Sequence, residues 1–131
     1  MIQYYVYKIK FADGMYYIGR HKFKSVKYIP HMTPMNDGYW GSGTKLKCKV
    51  IELWKEYWTN QNEPPSDDMT TFLSNCEHQF STACLNAHKL GMTKEIIAIF
   101  DHAGQCDELE DELVKKHIGD TLCINLRRGL S

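Results

Sequence analysis

Tyr7, Tyr17, Arg20 and His21 are the residues of this chain whose types and spacing suggest chemistry. Tyr7 lies in one short run of apolar and aromatic residues, Ile2 to Phe11, and Tyr17 and Arg20 in a second, Met15 to Arg20. His21 follows directly. Ala12-Asp13-Gly14 separates the runs, and an Asp-Gly in that setting predicts a β-hairpin. Such a hairpin would bring Tyr7 near Tyr17 and set Arg20 and His21 at the exit of the second strand. Two phenols, a guanidinium and an imidazole in one place suit phosphate chemistry better than simple packing. Tyrosine is also an ordinary strand residue, and Tyr4, Tyr5 and Tyr16 flank the pair. Period-two alternation puts Tyr5 on the same face as Tyr7, so Tyr5 competes for the role.

A carboxylate comes from the other end of the chain. Glu110 sits three residues before Leu113 and four before Val114, near the boundary of an apolar stripe on a predicted helix. There it would point toward a sheet and hold one divalent cation, with Mg²⁺ (or Mn²⁺) suiting oxygen ligands and retained waters. Glu108 and Glu112 compete, because Asp107 to Glu112 is a nearly unbroken acidic run, and such runs are commonly solvated helix faces. Cys76, His78, Cys84 and His88 include the right atoms for zinc, but no Cys-x-x-Cys is present and the spacing fits no known finger, so structural zinc is not expected.

The elements that must position these groups follow from periodicity. After the hairpin comes a loop rich in breakers, His31 to Gly38. A helix is predicted over Thr44 to Tyr57, with Leu46, Val50, Leu53 and Trp54 on one face and Lys45, Lys47, Lys49 and Lys55 around the rest. Thr59 to Asp68, with Pro64-Pro65, reads as an exposed loop. A helical stretch broken near its middle then runs from Thr70 to Leu90 and closes at Gly91. Glu95 to Phe100 reads as a short buried strand, Cys106 to His117 as an acidic helix stopped by Gly119, and Leu122 to Leu126 as a final strand. The order β-β-α-(59–90)-β-α-β predicts a single α/β (α+β) sandwich with a three-stranded, mostly antiparallel sheet flanked by helices.

A chain of 131 residues is one domain by length and long enough to bury a core. No apolar run approaches the ~20 residues of a membrane span, and the polar start lacks the regions of a signal peptide. Five cysteines without paired spacing point to reduced thiols and a cytoplasmic setting. Formal net charge is zero, but its distribution is uneven. Residues 1–58 carry ten Lys/Arg against four Asp/Glu, and residues 59–131 carry six against twelve. A basic half would track phosphates while the acidic half supplies a metal ligand.

Four segments in order resemble one family. Tyr5-Val6-Tyr7 with Tyr17-Ile18-Gly19 resembles the paired motifs of the GIY-YIG nucleases. Asp37-Gly38-Tyr39-Trp40-Gly41-Ser42-Gly43, followed by a basic helix, is similar to a segment of phage-type, free-standing (Seg-like) homing endonucleases. Leu109-Glu110-Asp111-Glu112-Leu113-Val114 resembles the family's glutamate helix, and Cys123-Ile124-Asn125-Leu126 its closing strand. The matches cover about 1–22, 37–58 and 92–129 of the chain; residues 59–90 have no counterpart and read as an insertion. The first motif lacks the family's glycine, and no Arg-x-x-x-His helix follows the second.

The resemblance implies a metal-dependent endonuclease that hydrolyses double-stranded DNA, from a phage or mobile element. It implies Glu110 as the Mg²⁺ ligand, Tyr7 as activator of the attacking water, Tyr17 as its orienter and Asn125 as a site-orienting amide. Arg20, His21, Lys22, His31 and Tyr39 are the candidates to replace the missing helix pair, with Arg20 as phosphate clamp and His21 or Tyr39 as second proton-transfer group; a surface position is the alternative for His31, in a loop beside Pro30. Lys22, Lys45, Lys47, Lys49, Arg127 and Arg128 are expected DNA contacts. Cutting both strands from one site per chain needs two chains or two sequential nicks, so a homo-oligomer is one option. The competing reading is a catalytically silent nucleic-acid-binding or interaction module that keeps the fold.

Overall fold

The computed structural model describes residues 2–25, 31–60 and 76–125, without the side chains of Cys76 and His78. Its elements are β1 (Ile2–Lys10), β2 (Tyr16–Lys24), α1 (Thr44–Thr59), α2 (Cys76–Leu85), a 3₁₀ turn (Ala87–Leu90), β3 (Thr93–Phe100) and α3 (Ala103–His117). Among the described residues the sheet has three antiparallel strands in the order β2-β1-β3, so the predicted α+β architecture is what the chain adopts.

The Asp-Gly turn closes as its residue types require. Gly14 takes a φ of 91°, its N–H donates to Phe11 O at 3.0 Å, and Phe11 N–H donates to Met15 O at 2.9 Å. The Asp13 carboxylate accepts from Met15 N–H at 2.9 Å, fixing the turn. That turn sets the register: Tyr7 lies opposite Gly19, Tyr5 opposite His21 and Ile9 opposite Tyr17. Alternation then divides β2 between two faces. Tyr17, Gly19 and His21 share the face of Tyr5, Tyr7 and Ile9; Ile18, Arg20 and Lys22 take the other.

Each face has its own core. Leu46, Val50 and Trp54 of α1 pack with Tyr5, Tyr7 and Ile9, together with Phe80, Ala83, Ala87 and Leu90. Residues 76–90, expected to be an insertion, therefore complete this core, and burying a Leu or Phe side chain is worth about 1.5–3 kcal/mol. On the other face Cys106 and Val114 of α3 pack on Val6, Tyr16 and Ile18.

Three expectations change. β3 is an edge strand, with Ile97 and Ile99 37% and 47% exposed, because an apolar run is buried on both faces only at the centre of a covered sheet. A register shift opposite Val6/Tyr7 also disturbs its alternation. Leu122 to Asn125 forms no fourth strand but one parallel bridge, Cys123 to Tyr16; Leu126 lies outside the described residues. Finally, α3 begins at Ala103, one turn before the predicted Cys106, and α1 runs two residues past Tyr57.

Candidate active site

A polar cleft of about 460 Å³ opens over the free side of β2. It straddles the strand, because consecutive residues point to opposite faces. Tyr7, Tyr17, His21 and Tyr39 line one wall, and Arg20, Lys22, Asp107 and Glu110 the other.

Glycines make room for the tyrosines. A Cβ on Gly19 would stand 2.4 Å from the Tyr7 hydroxyl oxygen and 3.0 Å from the Tyr17 ring. Gly41 has a φ of 104°, and its Cβ would meet Leu46 at 2.2 Å and the Tyr7 hydroxyl at 3.0 Å, so only glycine fits. The Tyr7 ring centroid lies 6.2 Å from that of Tyr17 and 5.8 Å from that of Tyr39. Burial foremost, then the phenols of Tyr17 and Tyr39, push the Tyr7 hydroxyl well above its ordinary range. At neutral pH it is therefore a hydrogen-bond donor, and a phenolate there would need a compensating cation. Tyr5, the competing tyrosine, is buried in the core and donates to Asp37 Oδ2 at 2.5 Å; it does not line the cleft.

His21 is held by rings. Its imidazole stacks on Tyr39 at a centroid distance of 3.5 Å with 9° between planes, and Tyr5 meets it edge-on at 5.8 Å. Burial lowers its affinity for a proton; the nearby Asp37 opposes that shift and Lys94 adds to it. A neutral imidazole facing a polar cleft is a proton acceptor.

On the other wall, Arg20 Nε donates to Glu110 Oε2 at 3.1 Å and Arg20 Nη1 meets Asp107 Oδ1 at 2.6 Å. Glu110 is 8% exposed, between Cys106 and Val114 on the buried stripe of α3, whereas Glu108 and Glu112 are exposed. Among the three competing glutamates, Glu110 is the one that faces the cleft.

Of the other expected residues that the structure describes, only Lys22 lies in the cleft. Asn125 stands on the edge of β2, outside the cleft. Its Oδ1 accepts from Ile18 N–H at 2.8 Å and its Nδ2 donates to Ile18 O at 2.6 Å, so a side-chain amide extends by one residue the pairing that the backbone of Leu122 and Ile124 makes with Tyr16. Lys47 pairs with Glu77 at 3.0 Å and Lys49 with Asp13, and both, like exposed Lys45, lie outside the cleft. Lys22 lines it. Arg127 and Arg128 lie outside the described residues. The zinc candidates do not share one helix, since α2 ends at Leu85 and His88 is exposed on the 3₁₀ turn. Burial pushes the Cys84 thiol up to about 12.

Two features escape sequence reasoning. Asp107 joins Glu110 in the cleft; its signal is the i, i+3 spacing within the acidic run. Lys94 is buried against Asp37 at 2.8 Å, and nothing in the pattern of β3 marks it. Comparison with known proteins gives no lead: no family model, curated protein or solved structure matches this chain. Among the described residues, no helix is long and apolar enough to cross a membrane.

Proposed function

We propose that this chain is a divalent-metal-dependent endonuclease of GIY-YIG type that hydrolyses phosphodiester bonds of double-stranded DNA, encoded by a phage or mobile element and acting in the host cytoplasm. The observation that carries the reading is convergence: Arg20 and Glu110, 90 residues apart, meet beside His21 and the tyrosine cluster in one polar cleft. Phosphate hydrolysis needs a cationic clamp, a proton acceptor, hydrogen-bond donors and a hard-metal ligand together.

The donor set fits Mg²⁺ or Mn²⁺. Glu110 and Asp107 present carboxylate oxygens one helical turn apart, and a cleft of about 460 Å³ has room for the waters such ions retain. These two residues would hold the ion, which when bound supplies charge stabilisation at the phosphate and the leaving oxygen.

The chain's own residues do the rest. Neutral His21 accepts a proton from the attacking water, while the Tyr7 and Tyr17 hydroxyls orient that water. His21 is assigned as the base because its imidazole lines the cleft, while the Tyr7 hydroxyl is buried against Gly19 and Gly41. Arg20 exchanges its carboxylate partners for a non-bridging phosphate oxygen. Water oxygen bonds to phosphorus, the bond to the leaving sugar oxygen breaks, and that oxygen takes a proton from solvent.

Supercoiled-plasmid nicking tests this. Wild type should nick with Mg²⁺ and stop with EDTA, Glu110→Gln should be inactive, and Glu108→Gln and Glu112→Gln should match wild type. Equal residual nicking by wild type and Glu110→Gln would sink the assignment. One observation favours a second reading, a nucleic-acid-binding module without catalysis: Arg20 already engages both acidic residues of the cleft. Retention of DNA in a gel shift with no nicking at any metal concentration would support that module instead.

A further inference from the structure

Behind the wall formed by Tyr39 and His21 lies a buried charge that the proposed chemistry does not use. The side chains of Lys94 and Asp37 are 2% and 6% exposed. Lys94 Nζ donates to Asp37 Oδ1 at 2.8 Å, to the Tyr39 carbonyl at 2.8 Å and to the Tyr5 hydroxyl at 3.0 Å. Asp37 Oδ2 in turn accepts from the Tyr5 hydroxyl, and its Oδ1 accepts from Tyr39 N–H at 3.0 Å. Both backbone groups of Tyr39 are thus tied to one ion pair, which is itself anchored on β1 through Tyr5 and on β3 through Lys94.

Burying an ion pair costs desolvation that its own attraction often fails to repay, so such a pair is weak evidence for stability. This one does something more definite: it ties an otherwise irregular loop to the sheet at the residue that stacks on His21. The stack is close, at 3.5 Å and 9°, and ring contacts orient the imidazole only if the Tyr39 ring is itself fixed. Tyr5 belongs to both parts of the arrangement, bonding the ion pair through its hydroxyl and meeting His21 edge-on through its ring.

We propose that Lys94 and Asp37 are positioning residues, a buried pair that clamps the backbone of Tyr39 so that its ring holds the His21 imidazole in the cleft. The functional part of this rests on the reading of the cleft given above; the geometric part does not. Displacement of a reacting group by about 1 Å can cost about 100-fold in rate, so loss of the clamp should appear in kcat more than in KM.

The experiment reads placement separately from activity. In the full chain, the imidazole protons of His21, assigned by their loss in His21→Gln, should resonate upfield because they lie over the Tyr39 ring. Lys94→Met leaves Asp37 buried and unpaired, so the neutral pair Asp37→Asn/Lys94→Met is measured beside it. His117, packed edge-on against Tyr16 at 5.6 Å, is the internal control. Movement of the His21 resonances toward the unstacked position, with His117 unmoved, is the expected result. His21 resonances left in place, or His21 and His117 moving together, would overturn the proposal, as would loss of cooperative folding in both variants, which would make the pair purely structural. With plasmid as substrate, nicking kcat should fall about 10-fold to 100-fold in the variants, with KM near wild type. If the wild type cuts no DNA, the proposed activity fails, while the ring shifts still decide whether the clamp exists.

Discussion

Gly19→Ala should damage the cleft through one methyl group. The new Cβ would lie 2.4 Å from the Tyr7 hydroxyl oxygen and 2.6 Å from its Cζ, closer than such contacts permit. Tyr7 is 1% exposed, and the rings of Tyr5, Tyr17 and Tyr39 pack around it at 5.8–6.2 Å between centroids. Gly41 closes the remaining approach to the hydroxyl. The ring must therefore strain its surroundings or tilt into the cleft. Overpacking of this kind costs about 1–3 kcal/mol, which for a domain of this size lowers Tm by roughly 3–15 °C. Thermal unfolding followed by circular dichroism reads the first consequence and plasmid nicking the second. Tyr7→Phe in the Gly19→Ala background removes the closest atom, so the double variant should recover about 0.5 kcal/mol or more as a coupling energy between the two sites. A Tm within about 1 °C of wild type, with nicking unchanged, would refute the packing argument.

His21 supplies a pH dependence. Its proton affinity is lowered in the folded chain, chiefly by burial, so the unfolded chain binds the extra proton first. The stability linked to His21 is full above its ordinary value of about 6.5 and is lost as pH falls from there through the lowered folded value. Wild-type Tm should fall more steeply than that of His21→Gln between neutral and mildly acidic pH, and the acidic limb of nicking should lie below 6.5. Asn125→Ala should cost about 1–3 kcal/mol by leaving both backbone groups of Ile18 without the amide, and hydrogen exchange at the Ile18 N–H should accelerate. Arg20→Lys keeps the charge but loses the fork that reaches Asp107 and Glu110 together; nicking should drop about 10-fold or more while Tm changes little, since Arg20 is about half exposed.

Local rules made much of this protein legible before any coordinates. Asp13-Gly14 specified the turn, and the turn brings Tyr7 near Tyr17 with Arg20 and His21 at the exit of the second strand; that Arg20 and His21 take opposite faces followed only from the register of the folded hairpin. The apolar stripe Leu46, Val50, Trp54 specified α1, whereas the acidic run of α3 left Glu108, Glu110 and Glu112 in competition until the fold put Glu110 on the buried stripe with Cys106 and Val114. The hairpin and the α1 stripe are local properties, fixed by turn chemistry and a period of 3.6 residues.

What depends on neighbours in space was not legible. Whether an Ile-rich strand is central or at an edge depends on sheet order, so β3 exposes Ile97 and Ile99 although its run reads as buried. Whether Leu122 to Asn125 forms a strand depends on what pairs with it; among the described residues its backbone bonds to β2 reach only Tyr16, and the Asn125 side-chain amide continues them at Ile18. The junction of Lys94 with Asp37, and of Asp107 with Arg20, joins residues 57 and 87 positions apart; a local pattern has no means of encoding a contact across that distance. The sequence by itself determined the hairpin that pairs Tyr7 with Tyr17 and the apolar face of α1. Only the packing of α3 and the 37–43 loop on either side of β2 decided that the tyrosines, Arg20, His21 and Glu110 share a cleft, because a strand offers both faces to chemistry and tertiary structure alone brings partners to each.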